Sequence, residues 1–370
     1  MKTKSNNRNS LIGKLISFSF TSLRSVRAYA VQFSAFSLLI FLSACKPDIN
    51  IYADYKEIPI IYSLIDASAD TNFVRINRAY YIDKSLDDVN EATLVYDSSI
   101  FPGKLDAYFE ELKSSHGEAF QPTGRKLFLD TLTKQNKLYY TTEHFKTSND
   151  VNKYRYKLYV VTPDADTATS ETGIVKDDII INTPTPDYVN DIPLMDFKPL
   201  DKEDINTLDF SATEEAVLYE IVIHFIYREG HTGQPLVKKE VSWSYGARHL
   251  LVYEKIPGTP YYRLYYPAKD LFVALEQAIG NDTVWDLNHP NVVRYYDGVE
   301  IAISAAGEEF YNYYQLSDLL QQDLGASLEY SNIDGGYGIL SSRTLVRNIS
   351  GITPRAKFEL FQMPWGFREQ

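Results

Sequence analysis

Short segments that alternate hydrophobic and polar residues recur along most of the chain, and residues that favour turns separate them. Residues 60–65 and 73–80 flank the turn-forming segment 66–72, which predicts an antiparallel pair of strands. The abundance of tyrosine (29 residues) and phenylalanine (19 residues) suits half-buried pleated surfaces. The same pattern predicts further strands at 104–110, 125–129, 154–161 and 168–175.

Residues 154–161 alternate most regularly in this half of the chain. They place two tyrosines, Leu158 and Val160 on one face, and the polar turn 162–166 follows. A tyrosine-rich strand before a polar turn resembles the F-strand region of a fibronectin-type or immunoglobulin-like sandwich. Residues 168–175 would then form the last strand.

The second half predicts a long central strand at 217–227, because this segment is apolar on both faces. Residues 237–245 alternate and return as the second strand of a hairpin. Leucine, phenylalanine and isoleucine recur at helical spacing over 269–279, and Gly280 is placed to end that helix. Residues 299–305 and 355–361 alternate as strands, and 307–316 predicts a second short helix.

Two prolines, Pro184 and Pro186, mark the segment 182–191 as a linker, since proline cannot occupy a central strand. We therefore expect an immunoglobulin-like β-sandwich at 45–181 and a second β-rich domain at 192–370 with a helix near 269–279. The predicted fold class is all-β and mainly antiparallel, with one or two short helices.

Residues 1–44 have the organisation of a lipoprotein signal peptide. Six basic residues and no acidic ones precede an apolar run at 28–42, which ends in Leu42-Ser43-Ala44-Cys45. This pattern predicts cleavage between Ala44 and Cys45 and attachment of lipid to the Cys45 thiol. The alternative is a retained transmembrane helix over 28–44. Acylation at more than one position would hold the protein stably on a bilayer.

The single cysteine and the charge exclude several classes of protein. With Cys45 acylated, no thiol remains for a disulfide, a zinc site or a nucleophile. Of the 37 basic residues, the six before Cys45 would be removed, so 31 basic and 49 acidic residues leave a formal charge near −18. Nucleic acid is therefore excluded as a partner, and neither a metal nor another cofactor is expected.

The motifs that usually carry catalysis are missing from the sequence. The six histidines do not form an HExxH pattern, and no G-x-S-x-G motif is present. We interpret His224, inside the long strand, as a hydrogen-bonded structural residue. Residues 332–340 are rich in glycine but lack the end of a phosphate-binding loop, so a turn followed by a strand is expected. Asp164 and Asp166 alone are weak evidence for Ca²⁺.

Grouped tyrosines are the remaining candidates for a binding site. One ring of each group can be buried while another faces outward, where it could stack on a sugar or cover a partner protein. The alternative is packing within the domain. The candidate binding residues are Tyr261, Tyr265, Tyr295 and Tyr313.

Several segments resemble uncharacterised outer-membrane lipoproteins of Bacteroidota, which are known mainly as domains of unknown function. The resemblance implies an outer-membrane lipoprotein connected to surface uptake or secretion, with an outer-membrane transporter or a glycan as partner. Lys46-Pro47-Asp48 has one acid, fewer than surface-export signals of this group, so the side of the membrane stays open. The resemblance rests on Cys45 and on residues 59–64, 72–80, 292–297, 304–309 and 330–343.

We expect a lipid-anchored, non-catalytic binding or assembly component of the outer membrane. A glycan-binding or glycan-acting component of a surface uptake system is the alternative. Hydrolysis of a glycan would require two carboxyl groups roughly 5 to 9.5 Å apart in a groove. A spacer that holds other components away from the membrane is the third alternative.

Overall fold

The computed structural model describes residues 57–79, 99–103, 105–132, 137–185, 192–199, 203–231, 233–279, 292–321 and 330–369. Strands and short helices in this part of the chain confirm the predicted all-β class. Cys45, Ala44 and the rest of 1–44 lie outside the described residues.

The first eight strands follow each other closely and precede the proline-containing segment. They are β1 (Pro59–Ile65), β2 (Asn72–Arg78), β3 (Asp106–Ser115), β4 (Gln121–Phe128), β5 (Asp130–Thr131), β6 (Leu138–Thr141), β7 (Asn152–Val161) and β8 (Thr167–Gly173).

Eleven more strands and three α-helices complete the described part. The strands are β9 (Ile181–Thr183), β10 (Leu194–Met195), β11 (Ile205–Ser211), β12 (Leu218–His231), β13 (Val237–Ser244), β14 (Arg248–His249), β15 (Glu254–Lys255), β16 (Tyr261–Pro267), β17 (Val292–Ala306), β18 (Tyr337–Ile352) and β19 (Phe367–Arg368). The helices are α1 (Asp270–Ile279), α2 (Glu308–Gln321) and α3 (Pro354–Gln362), and a 3₁₀ turn spans Leu250–Val252.

Strands β1 to β8 form the predicted immunoglobulin-like sandwich. One layer has the order β1-β2-β6-β5 and the other the order β4-β3-β7-β8. These orders correspond to strands ABED and C′CFG of the immunoglobulin fold, with β7 as strand F. Both layers contribute to one core, in which Ile61, Phe109, Leu158 and Val160 are fully buried.

Tyr156 on β7 forms the tyrosine corner of this sandwich. Its hydroxyl accepts a hydrogen bond from the backbone N–H of Lys146, at 2.7 Å, in the connection that precedes the strand. A tyrosine near the start of strand F makes this contact in many sandwiches. The predicted inward face of 154–161 is confirmed, because Tyr156, Leu158 and Val160 are all in the core.

The layer that contains β1 continues into an eleven-stranded sheet. Its main path has the order β13-β12-β17-β18-β1-β2-β6-β5. Strand β1 pairs in parallel with β18, from Ile60 opposite Tyr337 to Ile65 opposite Ser342. The other long neighbours, including the predicted β12–β13 hairpin, are antiparallel.

Both smaller sheets cover the same face of this large sheet. On β18, Leu340 packs in the core below sheet β4-β3-β7-β8, and Val346 packs against the core below sheet β15-β16-β11-β9. The two residues are an even number of positions apart, so they point to the same side of the strand. Helices α1 and α3 contribute to the second core through Leu271, Phe272 and Leu360. The opposite face, which we call the outer face, carries α2.

The strand predicted at 355–361 is wrong, because this segment is helix α3. Thr353 caps the helix by accepting a hydrogen bond from Ala356 N at 3.2 Å, and Pro354 stands at its first turn. Ala356 and Leu360 are buried at a spacing of four, which places both on one helical face. The apolar residues of 355–361 fit both the period of two of a strand and the period of a helix. The capping and the packing favour the helix.

The predicted division into 45–181 and 192–370 is not reproduced. Residues Glu57–Gln370 form one compact unit, since β1 and β2 share a sheet with β12, β17 and β18. Within the predicted linker, Ile181–Thr183 forms β9 and pairs with β11, whereas 186–191 lie outside the described residues. The parallel β1–β18 pair joins segments far apart in sequence, which local composition does not reveal.

Candidate binding site

The outer face of the large sheet is lined by exposed aromatic, aliphatic and cationic side chains. Tyr62 on β1, Phe73 on β2 and Leu345 on β18 are 41%, 45% and 42% exposed. Pairing places Tyr62 beside Arg75, and Leu345 beside Ser304 of β17. Tyr62 and Phe73 lie on neighbouring strands, and an apolar group exposed on a sheet face indicates a binding surface.

Helix α2 lies on this face against β18 and β12. Gly307 N donates a hydrogen bond to the carbonyl of Ser342 at 3.0 Å, just before the helix begins. Glu309 in the first turn accepts a weak bond of 3.4 Å from Ser341 Oγ. Acidic residues in the first turn also stabilise the helix N-terminus.

One side of α2 presents three aromatic rings to the sheet and to the surrounding space. Phe310 and Tyr314 are one turn apart, and Tyr313 follows Phe310 at the other helical spacing. The rings of Phe310 and Tyr313 stack with centroids 6.5 Å apart. The aromatic side of the helix therefore forms one wall of a groove whose floor is the sheet.

Two cavities flank Phe310 and together form this groove, which we call the α2 groove. The smaller, about 350 Å³, is lined by Leu218, Glu220, Ser304, Tyr314 and Leu345 among others. The larger, about 510 Å³, includes Tyr62, Phe73, Arg75, Leu138 and Tyr313. Both volumes are typical of small-molecule sites. The residues common to the two cavities are Leu64, Asp66, Phe310 and Arg343.

Two arginines in the groove have guanidinium groups without a partner in the described part of the chain. Within the described ranges, the guanidinium groups of Arg75 and Arg343 make no hydrogen bond or ion pair, and both side chains are exposed. By contrast, Arg347, four residues along the same face of β18, forms an ion pair with Glu300. Arg75 and Arg343 are therefore available to an anionic ligand.

The acidic residues of the groove are held by neighbouring hydroxyl groups. Asp66 Oδ1 accepts hydrogen bonds from the backbone N–H and the hydroxyl of Ser68, at 2.9 and 2.6 Å. Glu220 Oε1 accepts a bond of 2.7 Å from Ser244 Oγ.

Two arginines and one aspartate line the larger cavity, so it carries a formal positive charge on a strongly acidic chain.

The structure places the four predicted tyrosines on three separate elements. Tyr313 lines the larger cavity of the α2 groove. Tyr261 and Tyr265 lie on β16, opposite Ser211 and Thr207 of β11, and Tyr265 donates a hydrogen bond to Glu254. Tyr295 lies on β17 beside Arg228 and Arg368. The fold therefore brings Tyr313 together with residues that the sequence analysis did not select, namely Tyr62, Phe73, Arg75, Phe310 and Arg343.

A serine, a histidine and a glutamate meet on the outer face of β12 and β13. His224 Nδ1 lies 2.6 Å from Glu240 Oε1 and 2.8 Å from Ser242 Oγ, and Ser242 also donates to Glu240 at 2.5 Å. A nucleophilic triad needs serine and carboxylate on different ring nitrogens. Here one nitrogen contacts both, so the cluster fits the structural role that we predicted for His224.

Two glutamates, Glu215 and the half-buried Glu309, lie near the start of α2. Burial raises the pKa of both carboxyl groups, and repulsion from Glu215 adds to the rise at Glu309. A raised carboxyl pKa is typical of a general acid. However, neither residue lines a cavity of the α2 groove; Glu309 contacts Ser341, and the Glu215 carboxylate lies against Gly173.

The glycine-rich segment behaves as a turn that leads into β18. Gly335 and Gly338 have φ values of +75° and +112°, which favour glycine. Asn332 closes the turn: its side chain accepts from Leu340 N at 2.9 Å and donates to Leu340 O at 2.7 Å. The predicted turn followed by a strand is confirmed.

The described ranges hold neither a cluster of metal-binding side chains nor a membrane-spanning helix. No group of three or more His, Cys, Asp or Glu side chains there is arranged to hold a metal ion. None of the helices in this part of the chain has the length and apolar character needed to cross a membrane.

Comparison with known proteins identifies no family. No protein-family model matches the chain, and no curated protein matches it. Among solved structures, it is similar to the C-terminal globular domain of an oligosaccharyltransferase from Pyrococcus abyssi, with 9% identity and a TM-score of 0.16. That match covers 81% of this chain and 51% of the other, so the chain spans about half of that structure's length. Such a low score carries no argument about fold or function.

Proposed function

We propose that this protein is a lipid-anchored, non-catalytic binding component of the cell envelope, held at the outer membrane through Cys45. Its binding site is the α2 groove. The observation that carries the proposal is the joint presence of exposed rings and two arginines in two adjoining cavities. The guanidinium groups of Arg75 and Arg343 have no partner among the described residues.

Several properties of the groove support binding. Arginine and aromatic side chains dominate the energetics of recognition surfaces. Their positions are set by strands of a large sheet and by the helix packed on it, so little ordering is needed when a ligand binds. The residues of the groove come from β1, β2, β6, β12, β17, β18, α2 and adjoining turns, which all belong to one compact unit.

An array of glycans and peptides tests the binding site. We expect wild-type protein to retain ligands that the double variant Phe73→Ala/Tyr314→Ala does not retain. Both rings are exposed, so their removal changes stability little. The matched control is Phe358→Ala, an exposed phenylalanine on α3 outside the groove. Array ligands that bind the double variant as well as wild type would contradict the assignment of the site.

Labelled palmitate tests the anchor. We expect incorporation into the wild-type polypeptide and none into Cys45→Ala, because the sequence holds no other thiol. Detergent partitioning of the two proteins gives an independent measure. Equal labelling of both proteins, or no labelling of wild type, would remove the lipid anchor from the proposal.

A second candidate function is action on a glycan, since two carboxyl groups, Asp66 and Glu220, line the smaller cavity. Glycoside hydrolysis uses such a pair. Release of reducing ends from glycans that bind the groove distinguishes the candidates. The binding function predicts no release by wild type, whereas hydrolysis that is lost in Asp66→Asn and in Glu220→Gln supports the enzyme.

A further inference from the structure

We infer that the α2 groove recognises an acidic oligosaccharide, with a sugar carboxylate at Arg343 and a second one at Arg75. This inference rests on the proposed binding function and specifies the ligand class. It assigns the cationic side chains to the acidic groups and the exposed rings to the apolar faces of the sugars.

The charge of the larger cavity favours an anionic ligand. The chain has 12 more acidic than basic residues, which disfavours anions over most of its surface. The larger cavity is an exception, because Arg75 and Arg343 face a single carboxylate, Asp66, that already accepts two hydrogen bonds. An unpaired guanidinium binds a carboxylate through two parallel hydrogen bonds.

The location of the groove favours a saccharide over a peptide. An extended peptide usually gains affinity by pairing its backbone with the edge of a sheet. The α2 groove lies on a sheet face, where the backbone groups of β1 and β18 are already paired with each other. Over these strands side chains provide the contacts for a ligand, and they include aromatic rings and two guanidinium groups.

The size of the groove favours a ligand of several linked units. The two cavities share Arg343 and Phe310, so one ligand can extend through both. Their volumes, about 350 and 510 Å³, each suit a small-molecule site, which implies a ligand of several linked rings. A chain of uronic acids combines ring faces with a carboxylate on each unit.

Calorimetric titration of the purified full-length protein tests this inference. The probes are tetramers of galacturonate, mannuronate and guluronate, each compared with its methyl ester, which keeps the rings and removes the charge. We expect at least one tetramer to bind. The affinity of its methyl ester should be lower by a factor of about ten or more. Affinity for the acid form should also fall as salt concentration rises.

Matched variants assign the carboxylate contact. We expect Arg343→Gln to weaken binding of the acid tetramer about tenfold and to leave binding of the ester unchanged. Arg347→Gln, on the same strand and face but outside both cavities, should change affinity less than twofold. Both positions are exposed on the sheet, and circular dichroism verifies that the variants remain folded.

The outcomes separate this inference from the proposed function. Equal affinity for acid and ester, no effect of Arg343→Gln, or no binding of any tetramer would overturn the acidic saccharide. Binding of tetraglutamate in place of the tetramers would also overturn it. In each case the array results for Phe73→Ala/Tyr314→Ala decide independently whether the groove is a binding site.

Discussion

Glu111 is a buried carboxylate of the sandwich formed by β1 to β8, and two cationic side chains neutralise its charge. Its side chain is 1% exposed and accepts hydrogen bonds from Arg125 and Lys146, both at 2.9 Å, and from the Tyr156 hydroxyl at 3.1 Å. Burial raises the pKa of Glu111, but the bonds from Lys146, Arg125 and Tyr156 outweigh it, so the net pKa is lowered. The network links the tyrosine corner to β3 and β4.

Replacing Glu111 with Gln should lower the free energy of unfolding by about 2 kcal/mol at pH 7, because the charged bonds are lost. A lowered carboxyl pKa contributes stability above the ordinary value of 4.5, and this contribution disappears as the pH falls through the lowered pKa. The difference between the two proteins should therefore shrink in acid. Urea unfolding at pH 7 and pH 3.5 measures it.

The control for this prediction is Glu143→Gln. Glu143 also pairs with Arg125, at 3.2 Å, but its side chain is 57% exposed, so we expect a change below about 0.5 kcal/mol. An equal loss of stability in Glu111→Gln at both pH values would contradict the role of its charge.

Glu309 should have the opposite pH dependence. Because burial raises its pKa, the folded protein binds a proton more tightly than the unfolded chain does. Stability then falls as the pH rises from 4.5 through the raised pKa. We expect Glu309→Gln to flatten this decline and to be at least as stable as wild type at pH 8. Urea unfolding at pH 5 and pH 8 measures how the free energy of unfolding changes with pH. A variant that is destabilised equally at both pH values would contradict this role of Glu309.

Local sequence predicts the helices and strands whose limits depend mainly on neighbouring residues. The hairpin of β12 and β13 and the helix α1 follow from periodicity and turn residues, and both are present. Helix α2 was predicted at 307–316 and extends over Glu308–Gln321. The strand predicted at 355–361 is wrong, because this segment fits both the period of a strand and the period of a helix. The capping by Thr353 and the packing of Ala356 and Leu360 favour the helix.

Gly338 shows how one residue permits the pairing of two elements. It has a φ of +112°, and a Cβ atom at this position would overlap the carbonyl oxygen of Ile61 on β1. Strands β1 and β18 therefore approach closely where only glycine fits. The close approach lies at the start of the parallel pair that joins the two halves of the sheet.

We expect Gly338→Ala to reduce the free energy of unfolding by about 3 kcal/mol or more, because backbone atoms must shift. Gly124→Ala is the matched control, since Gly124 has a φ of +83° but open space around its Cα. Its expected cost is about 1 kcal/mol, from backbone conformation alone. Thermal and urea unfolding compare the two, and similar losses in both variants would show that the contact with β1 is unimportant.

The large sheet contains strands from both halves of the described chain. Besides the β1–β18 pair, Ser342 Oγ donates to Gly173 O at 2.7 Å and accepts from Val175 N at 2.9 Å. Ser170 Oγ donates to Asn332 O at 2.8 Å. These buried or part-buried bonds connect residues 170–175 with β18 and with the turn before it. They therefore join segments on the two sides of the predicted linker 182–191.

Calorimetry of the full protein should therefore show one cooperative transition for residues 57–369. Fragments 45–181 and 192–370 should each unfold at a lower temperature than the intact protein, because separation exposes the paired edges of β1 and β18. Two transitions in the intact protein that match those of the separate fragments would show that the sandwich and the rest fold independently.

The sequence alone determines the properties that depend on neighbouring residues. Alternation predicts the strands and the buried face of β7, and glycine predicts the turn before β18, because side-chain direction and allowed φ are local. Periodicity does not specify which distant strands pair. Only the tertiary structure decides that β1 lies beside β18, and this pairing brings Arg75, Arg343 and Tyr313 into one groove. Long-range packing of both small sheets against one face leaves the other face open for that groove.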